Sequence, residues 1–175
     1  RRQRQMCIRD RFQMMQYSDI IFGDQNEWEI ASGVPHIPFE ALDADYEIAK
    51  EAYLEYFRKM HQLFPKCKKM LMAVRNQIAS SHHTLSGLLY DAVEDQLYTT
   101  RIYDIEPIVD PMGVGDAFIA AYIHAHQKWG DKNQYCLDFS LSASAIKNTV
   151  PGDQNLVTEE EIINNMTSSG GRIQR

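Results

Sequence analysis

The spacing of apolar and polar residues divides the 175-residue chain into alternating strand-like and helix-like segments. Residues 18–22 (SDIIF) read as a short strand closed by a turn at Gly23-Asp24, and a helix is expected over about 26–32. Two prolines mark 33–38 as a loop. The clearest helix is expected over 45–64, where Ile48, Ala52, Tyr56, Lys59 or Met60, and Leu63 recur before Pro65 stops the pattern. A continuous apolar run, 69–74, reads as a buried strand, and 85–91 with 96–103 reads as a β-hairpin around 92–95. Two helices follow, over about 115–129 and 136–148. Phe118, Ala121, Tyr122, Ala125 and Trp129 form an apolar stripe on the first, and Leu137, Leu141, Ala145 and Ile146 on the second. Thr158 with Glu161 three residues later is a capping-box signal that opens a last helix near 158–166, and the polar tail 168–175 is expected to fray. This succession predicts an α/β fold with a mostly parallel core sheet and an antiparallel hairpin at one side. There is no internal repeat and no sign of a second domain.

Composition is that of an ordinary globular protein, 44% apolar and 24% charged. No apolar run approaches the ~20 residues that span a bilayer, which excludes a helical membrane anchor within this sequence. The net charge is −6 and unevenly spread, since residues 1–11 hold five Arg against one Asp and leave the remainder strongly acidic. An acidic body argues against nucleic acid as partner, although a local nest of amides can still bind an anion. Residues 1–11 are expected to be non-native, because they look like translated adaptor read-through; the folded body is taken as 12–175, beginning inside a helix at Phe12. Cys7, Cys67 and Cys136 are widely separated, with no C-x-x-C pair, which fits free thiols in a reducing, cytoplasmic setting. The six histidines have no zinc-ligand spacing and read as structural or surface residues.

The most informative segment is Asp110-Pro111-Met112-Gly113-Val114-Gly115-Asp116-Ala117-Phe118. Two glycines flank a small residue at the start of an amphipathic helix. Glycine lets the chain turn tightly and lets a ligand approach the main chain. The first helical N–H groups have no partner in the helix and sit at its positive end, so they can hold a phosphate or a developing oxyanion. Asp116 lies where a carboxylate could accept a proton from an attacking hydroxyl, and these parts together suit phosphoryl transfer. The alternative is ordinary helix capping by Asp116. The turn is neither a P-loop, for want of Gly-Lys-Ser/Thr, nor a dinucleotide fingerprint, because Phe118 stands where a third glycine is needed.

This segment resembles the C-terminal signature of the PfkB-type, ribokinase-like carbohydrate kinases, Asp-Thr-x-Gly-Ala-Gly-Asp-x-Phe. The resemblance implies that Asp116 is the catalytic base and that Gly113, Val114 and Gly115 supply the amides of an anion hole. Pro111 departs from the pattern, and puts in question the monovalent-cation site that the resemblance would imply around Asp110. Asn26-Glu27-Trp28-Glu29 is similar to the family's Asn-x-x-Glu, which implies that Asn26 and Glu29 help organise Mg2+. Without the family, the same residues read as a helix capped by Asp24 and Glu27. The run from Arg75 to His83 resembles a strand end of sugar-acid kinases, which implies that Arg75 reaches a nucleotide phosphate. Residues 142–155 resemble the wall of the adenine and ribose site in 2-keto-3-deoxygluconate kinases, with Asn148 as the expected nucleotide contact.

The resemblance covers about 12–175 and implies the C-terminal, nucleotide-binding half of a three-layer α/β/α enzyme that uses ATP and Mg2+ to phosphorylate a sugar or sugar acid. It implies a cytoplasmic homodimer at full length. The half that carries the sugar contacts and lid is expected to lie upstream, so the chain alone is expected to be inactive and prone to aggregate at its sheet edge. Two alternatives stay open: a non-catalytic nucleotide-binding module, and another kinase of the same superfamily acting on ribose, fructose or a nucleoside.

Overall fold

The computed structural model describes residues 2–39, 44–168 and 172–173. The expected fraying of 168–175 falls partly outside the described residues, and within them Arg172–Ile173 are instead paired as a strand in the sheet. The chain forms two compact units, one of Arg1–Phe39, Glu47–Met72 and Leu89–Leu97, the other of Glu40–Tyr46, Ala73–Leu88 and Tyr98–Arg175. Its strands are β1 (Ile20–Gly23), β2 (Lys69–Ala79), β3 (His82–Asp91), β4 (Gln96–Thr99), β5 (Tyr103–Ile105) and β6 (Arg172–Ile173). They hydrogen-bond in the order β1-β2-β3-β5-β6, with β4 on β3. The helices are α1 (Arg2–Met15), α2 (Gln25–Ser32), α3 (Lys50–Leu63), α4 (Val114–Trp129), α5 (Asn133–Lys147) and α6 (Glu159–Thr167).

In the first unit, β1 runs parallel to the start of β2, Ile20 opposite Lys69 and Gly23 opposite Met72. Helix α1 includes most of the basic segment set aside above; Arg, Gln and Met are good helix formers, so its backbone needs no apolar period. Helix α2 opens on the capping box of Asp24 and Glu27 and stops at Gly33, whose positive φ of 75° closes the last turn. Helix α3 begins at Lys50 rather than near 45, and Ala49 offers no side-chain cap there. Its buried face is Tyr53, Tyr56, Phe57 and Met60, while Ala52 is exposed. Tyr56 and Met60 keep their expected places on the stripe, while Tyr53 rather than Ala52 is buried and Phe57 joins them. Phe57 is fully buried, with its ring edge-on to Trp28 at 5.6 Å and stacked on Tyr90 at 5.7 Å. Above Tyr90, Asp95 accepts from Arg58 Nε at 2.9 Å and from the Tyr90 hydroxyl at 2.9 Å.

The second unit carries the larger difference from expectation. Strand β2 does not end at Val74-Arg75 but runs to Ala79, and only Ser80 and Ser81 separate it from β3. This hairpin has no Asn-Gly or Asp-Gly signal, which is why the pattern hid it. The hairpin around 92–95 is present as β3 and β4, but the expected strand 96–103 is broken into β4 and β5. Strand β5 is antiparallel to β3 and parallel to β6. The sheet is thus mixed rather than mostly parallel. Helix α5 packs against α4, α6 and β5, and each residue from 139 to 148 is buried. Its serines satisfy themselves on neighbouring carbonyls: Ser140 donates to Phe118 O at 2.5 Å and Ser142 to Ile162 O at 2.9 Å. Helix α6 begins at the Thr158–Glu161 capping box, as the sequence predicts.

The Arg58 and Tyr90 hydrogen bonds hold the Asp95 carboxyl down to about 2. A depressed acid contributes stability above its unfolded value, about 3.9, and loses it as pH falls toward the folded value. Asp95 has a φ of 51°, which Asn tolerates. Asp95→Asn should therefore flatten the fall of melting temperature between about pH 4 and pH 2 relative to wild type; superimposable acid limbs would show that the pair carries no such linkage.

Candidate functional site

The chain leaves β5 and reaches α4 through a turn tied down from both sides. Val109 N and Asp110 N both donate to the Asn148 carbonyl, at 2.8 and 3.2 Å. The Asp110 carboxylate accepts from Met112 N at 3.0 Å and from Gly152 N at 2.9 Å. These two amides, with the charge of Lys147, hold the Asp110 carboxyl below the usual carboxylate range. Gly113 is the N-cap of α4 in the left-handed region, φ 75° and ψ 5°, and its carbonyl accepts the first helical bond, from Ala117 N at 2.9 Å. A β-carbon at Gly113 would collide with the Asp153 carbonyl, so the turn and the 150–153 loop approach as only glycine allows. Ser144 of α5 donates to Val114 O at 3.0 Å and pins the first residue of the helix.

The result is a run of four consecutive amides, on Gly113, Val114, Gly115 and Asp116, that find no acceptor among the described residues. Asp116 is the third residue of α4; it is exposed, and its carboxylate makes no hydrogen bond or ion pair among the described residues. The capping alternative therefore fails, because the cap position belongs to Gly113, which has no side chain to offer. Gly115 meets nothing within 4 Å of where a β-carbon would stand. No neighbour demands glycine there, and the position its β-carbon would take is open. Bare amides at a helix start, beside an uncommitted carboxylate, fit the oxygens of a phosphate group.

The other predicted residues are placed as follows. Asn148 is buried and donates its side-chain amide to Ser144 O at 3.0 Å. It serves the turn through its carbonyl. Arg75 lies inside β2 on an exposed position, and its charge is the second cause, after burial, of the lowered pKa of His83. Asn26 and Glu29 belong to α2 in the first unit, whereas the turn, Asn148 and Arg75 belong to the second. Asn26 is exposed, and the Glu29 carboxylate is held by the His36 ring and its backbone N–H. Among the described residues no group of three or more His, Cys, Asp or Glu could by itself cage a metal. Mg2+ at this kind of site would depend on phosphate oxygens and water for most of its ligands, as that ion prefers. Ser144, Lys147, Gly152 and Asp153 lie in the 142–155 run read as a nucleotide wall, but their part in shaping the turn was not read from it. The Pro151-Gly152 pair was the available signal, and Gly152 has a φ of 84°.

Solved structures share this architecture. The 2-dehydro-3-deoxygluconokinase of Thermotoga maritima matches with a TM-score of 0.77 and 25% identity over 92% of this chain and 45% of that one. A PfkB family carbohydrate kinase from Listeria grayi matches at 0.76 and 23% identity, over 94% and 46%. The chain has the fold of the PfkB-family carbohydrate kinases. Arabidopsis thaliana ribokinase, solved with ribose and ATP, extends the ribokinase-like likeness at a TM-score of 0.65 and 20% identity, over 90% of this chain and 44% of that one. The chain spans a little under half the length of these ribokinase-like proteins. No family model and no curated protein gives a significant match. Among the described residues no helix is long and apolar enough to cross a membrane.

The two glycines of the ribokinase-like turn should separate in their effects. Gly113→Ala forces an unfavourable φ and a collision with Asp153, and should cost more than about 1 kcal/mol of stability in a urea titration. Gly115→Ala should leave the urea midpoint within about 0.5 kcal/mol of wild type, because nothing lies within 4 Å of its β-carbon position. Equal stability losses at the two positions would contradict this division of roles.

Proposed function

We propose that this chain carries the phosphoryl-transfer half of a kinase that moves the γ-phosphoryl group of ATP to a hydroxyl of a sugar or sugar acid, with 2-keto-3-deoxygluconate as the preferred acceptor. The observation that carries the reading is the uncommitted Asp116 carboxylate at the mouth of four uncommitted amides. The similar 2-dehydro-3-deoxygluconokinase structure and the 142–155 motif support the choice of acceptor.

In this mechanism Asp116 takes the proton of the acceptor hydroxyl as that oxygen attacks the γ-phosphorus. The amides of Gly113, Val114 and Gly115 stabilise charge on the moving phosphoryl group. They are pre-oriented by the Asp110 bonds and by Ser144, so little reorganisation is needed at the moment of reaction. Mg2+, when bound with the nucleotide, would neutralise phosphate charge. Arg75 is assigned to a nucleotide phosphate and Asn148 to the nucleotide wall. The rival reading as a non-catalytic module used Asp116 as a helix cap, a place that Gly113 occupies.

In the longest gene product that contains this chain, Asp116→Asn should leave ATP affinity unchanged and lower turnover by ~10²–10⁴-fold, as for the loss of a general base. Turnover near wild type, measured by phosphate transfer at saturating substrate, would remove Asp116 from that role.

A further inference from the structure

Lys147 is fully buried, yet no step above uses it. It stands in the last turn of α5, where the helix dipole favours a cation. Its Nζ donates to the Val150 carbonyl at 3.1 Å, and no second acceptor is recorded for this ammonium among the described residues. A buried charge is costly unless it is paired or hydrogen-bonded, so a lysine held this way calls for a physical reason.

Its surroundings supply one. The residues just beyond it form the loop that braces the anion hole. Asn148 O receives Val109 N and Asp110 N, Gly152 N donates to Asp110, and the Asp153 carbonyl lies against Gly113. Lys147 fastens this loop at Val150, between those contacts. Its charge also reaches the Asp110 carboxyl and lowers its pKa without a direct ion pair. A second aliphatic side chain at 147 would fill the same volume, but it would supply neither the bond to Val150 nor a positive charge behind a turn that must receive an anion.

We propose that Lys147 is a positioning residue of the anion hole: its buried ammonium clamps the 148–153 loop against the Asp110 turn, and so keeps the amides of Gly113, Val114, Gly115 and Asp116 presented to phosphate in a positive field. The inference rests on the phosphoryl-transfer reading above. It assigns Lys147 no contact with substrate. As a general scale, two unit charges roughly 10 Å apart at an effective dielectric near 20 change affinity by on the order of tenfold.

The test is calorimetric titration of ATP–Mg2+ into wild type, Lys147→Arg, Lys147→Gln and Lys147→Met, with a urea titration of each. Wild type and Lys147→Arg should bind within about threefold of each other, and the two neutral variants about tenfold more weakly, whatever the change in urea midpoint. Because Met can pack well where a buried charge was, its midpoint is free to rise while its affinity falls, an outcome that a merely structural lysine would not give. If the methionine variant does not fold, the Arg and Gln variants carry the comparison. Wild-type affinity in the neutral variants, or equal losses in all three, would overturn the role of Lys147 alone. Absence of ATP–Mg2+ binding by wild type would overturn the proposed function and this inference together.

Discussion

The Asp110 carboxylate accepts one amide from its own turn and one from the loop after α5, at 3.0 and 2.9 Å. Everything at the candidate site depends on that double acceptance. It closes the Met112 turn and draws Gly152 inward. With the loop in that place, the Asp153 carbonyl lies where the side chain of residue 113 would start. Only glycine can stand there, and only a residue at ease with a φ of 75° can turn the chain into α4 at that point. The bare amides of α4 follow from that geometry, because a helix that starts on glycine has no side chain to satisfy them.

Helix α5 makes the arrangement rigid. A helix buried from 139 to 148 would normally be apolar throughout, but this one places serines at 140, 142 and 144. Each hydroxyl donates to a carbonyl: Ser140 and Ser144 to α4, and Ser142 to α6. The bonds to α4 fix its axial position from the first turn, so the site is anchored on a helix rather than on a free loop. The same helix ends in Lys147 and Asn148, which together grip the loop and the turn. Chemistry and packing thus share one element.

How much of this was legible in the sequence follows from how local each signal is. Helices α4, α5 and α6 were readable because their apolar stripes and the Thr158–Glu161 box lie within a few residues of each other. The Gly-x-Gly-Asp turn was readable as a helix start, but its spacing fitted ordinary capping equally, and the resemblance supplied the anion-hole reading. The Ser80-Ser81 hairpin was not, since two serines carry no turn preference as strong as glycine or proline. The true start of α3 was hidden because Ile48 extends the apolar period into a segment without a cap. For Asn148 the resemblance implied a place in the nucleotide wall, but not the bond of its side chain to Ser144 or the hold of its carbonyl on the turn. Long-range main-chain bonds of this kind leave no mark on local pattern.

The central claim is that the amides of Gly113, Val114, Gly115 and Asp116 receive the phosphates of a nucleotide. The most direct measurement is an NMR titration of the 15N-labelled chain with ATP–Mg2+, following each backbone amide. The account predicts that these four resonances move most, downfield and together, as their protons gain charged acceptors. Saturable binding that leaves all four unmoved while amides elsewhere shift would contradict it.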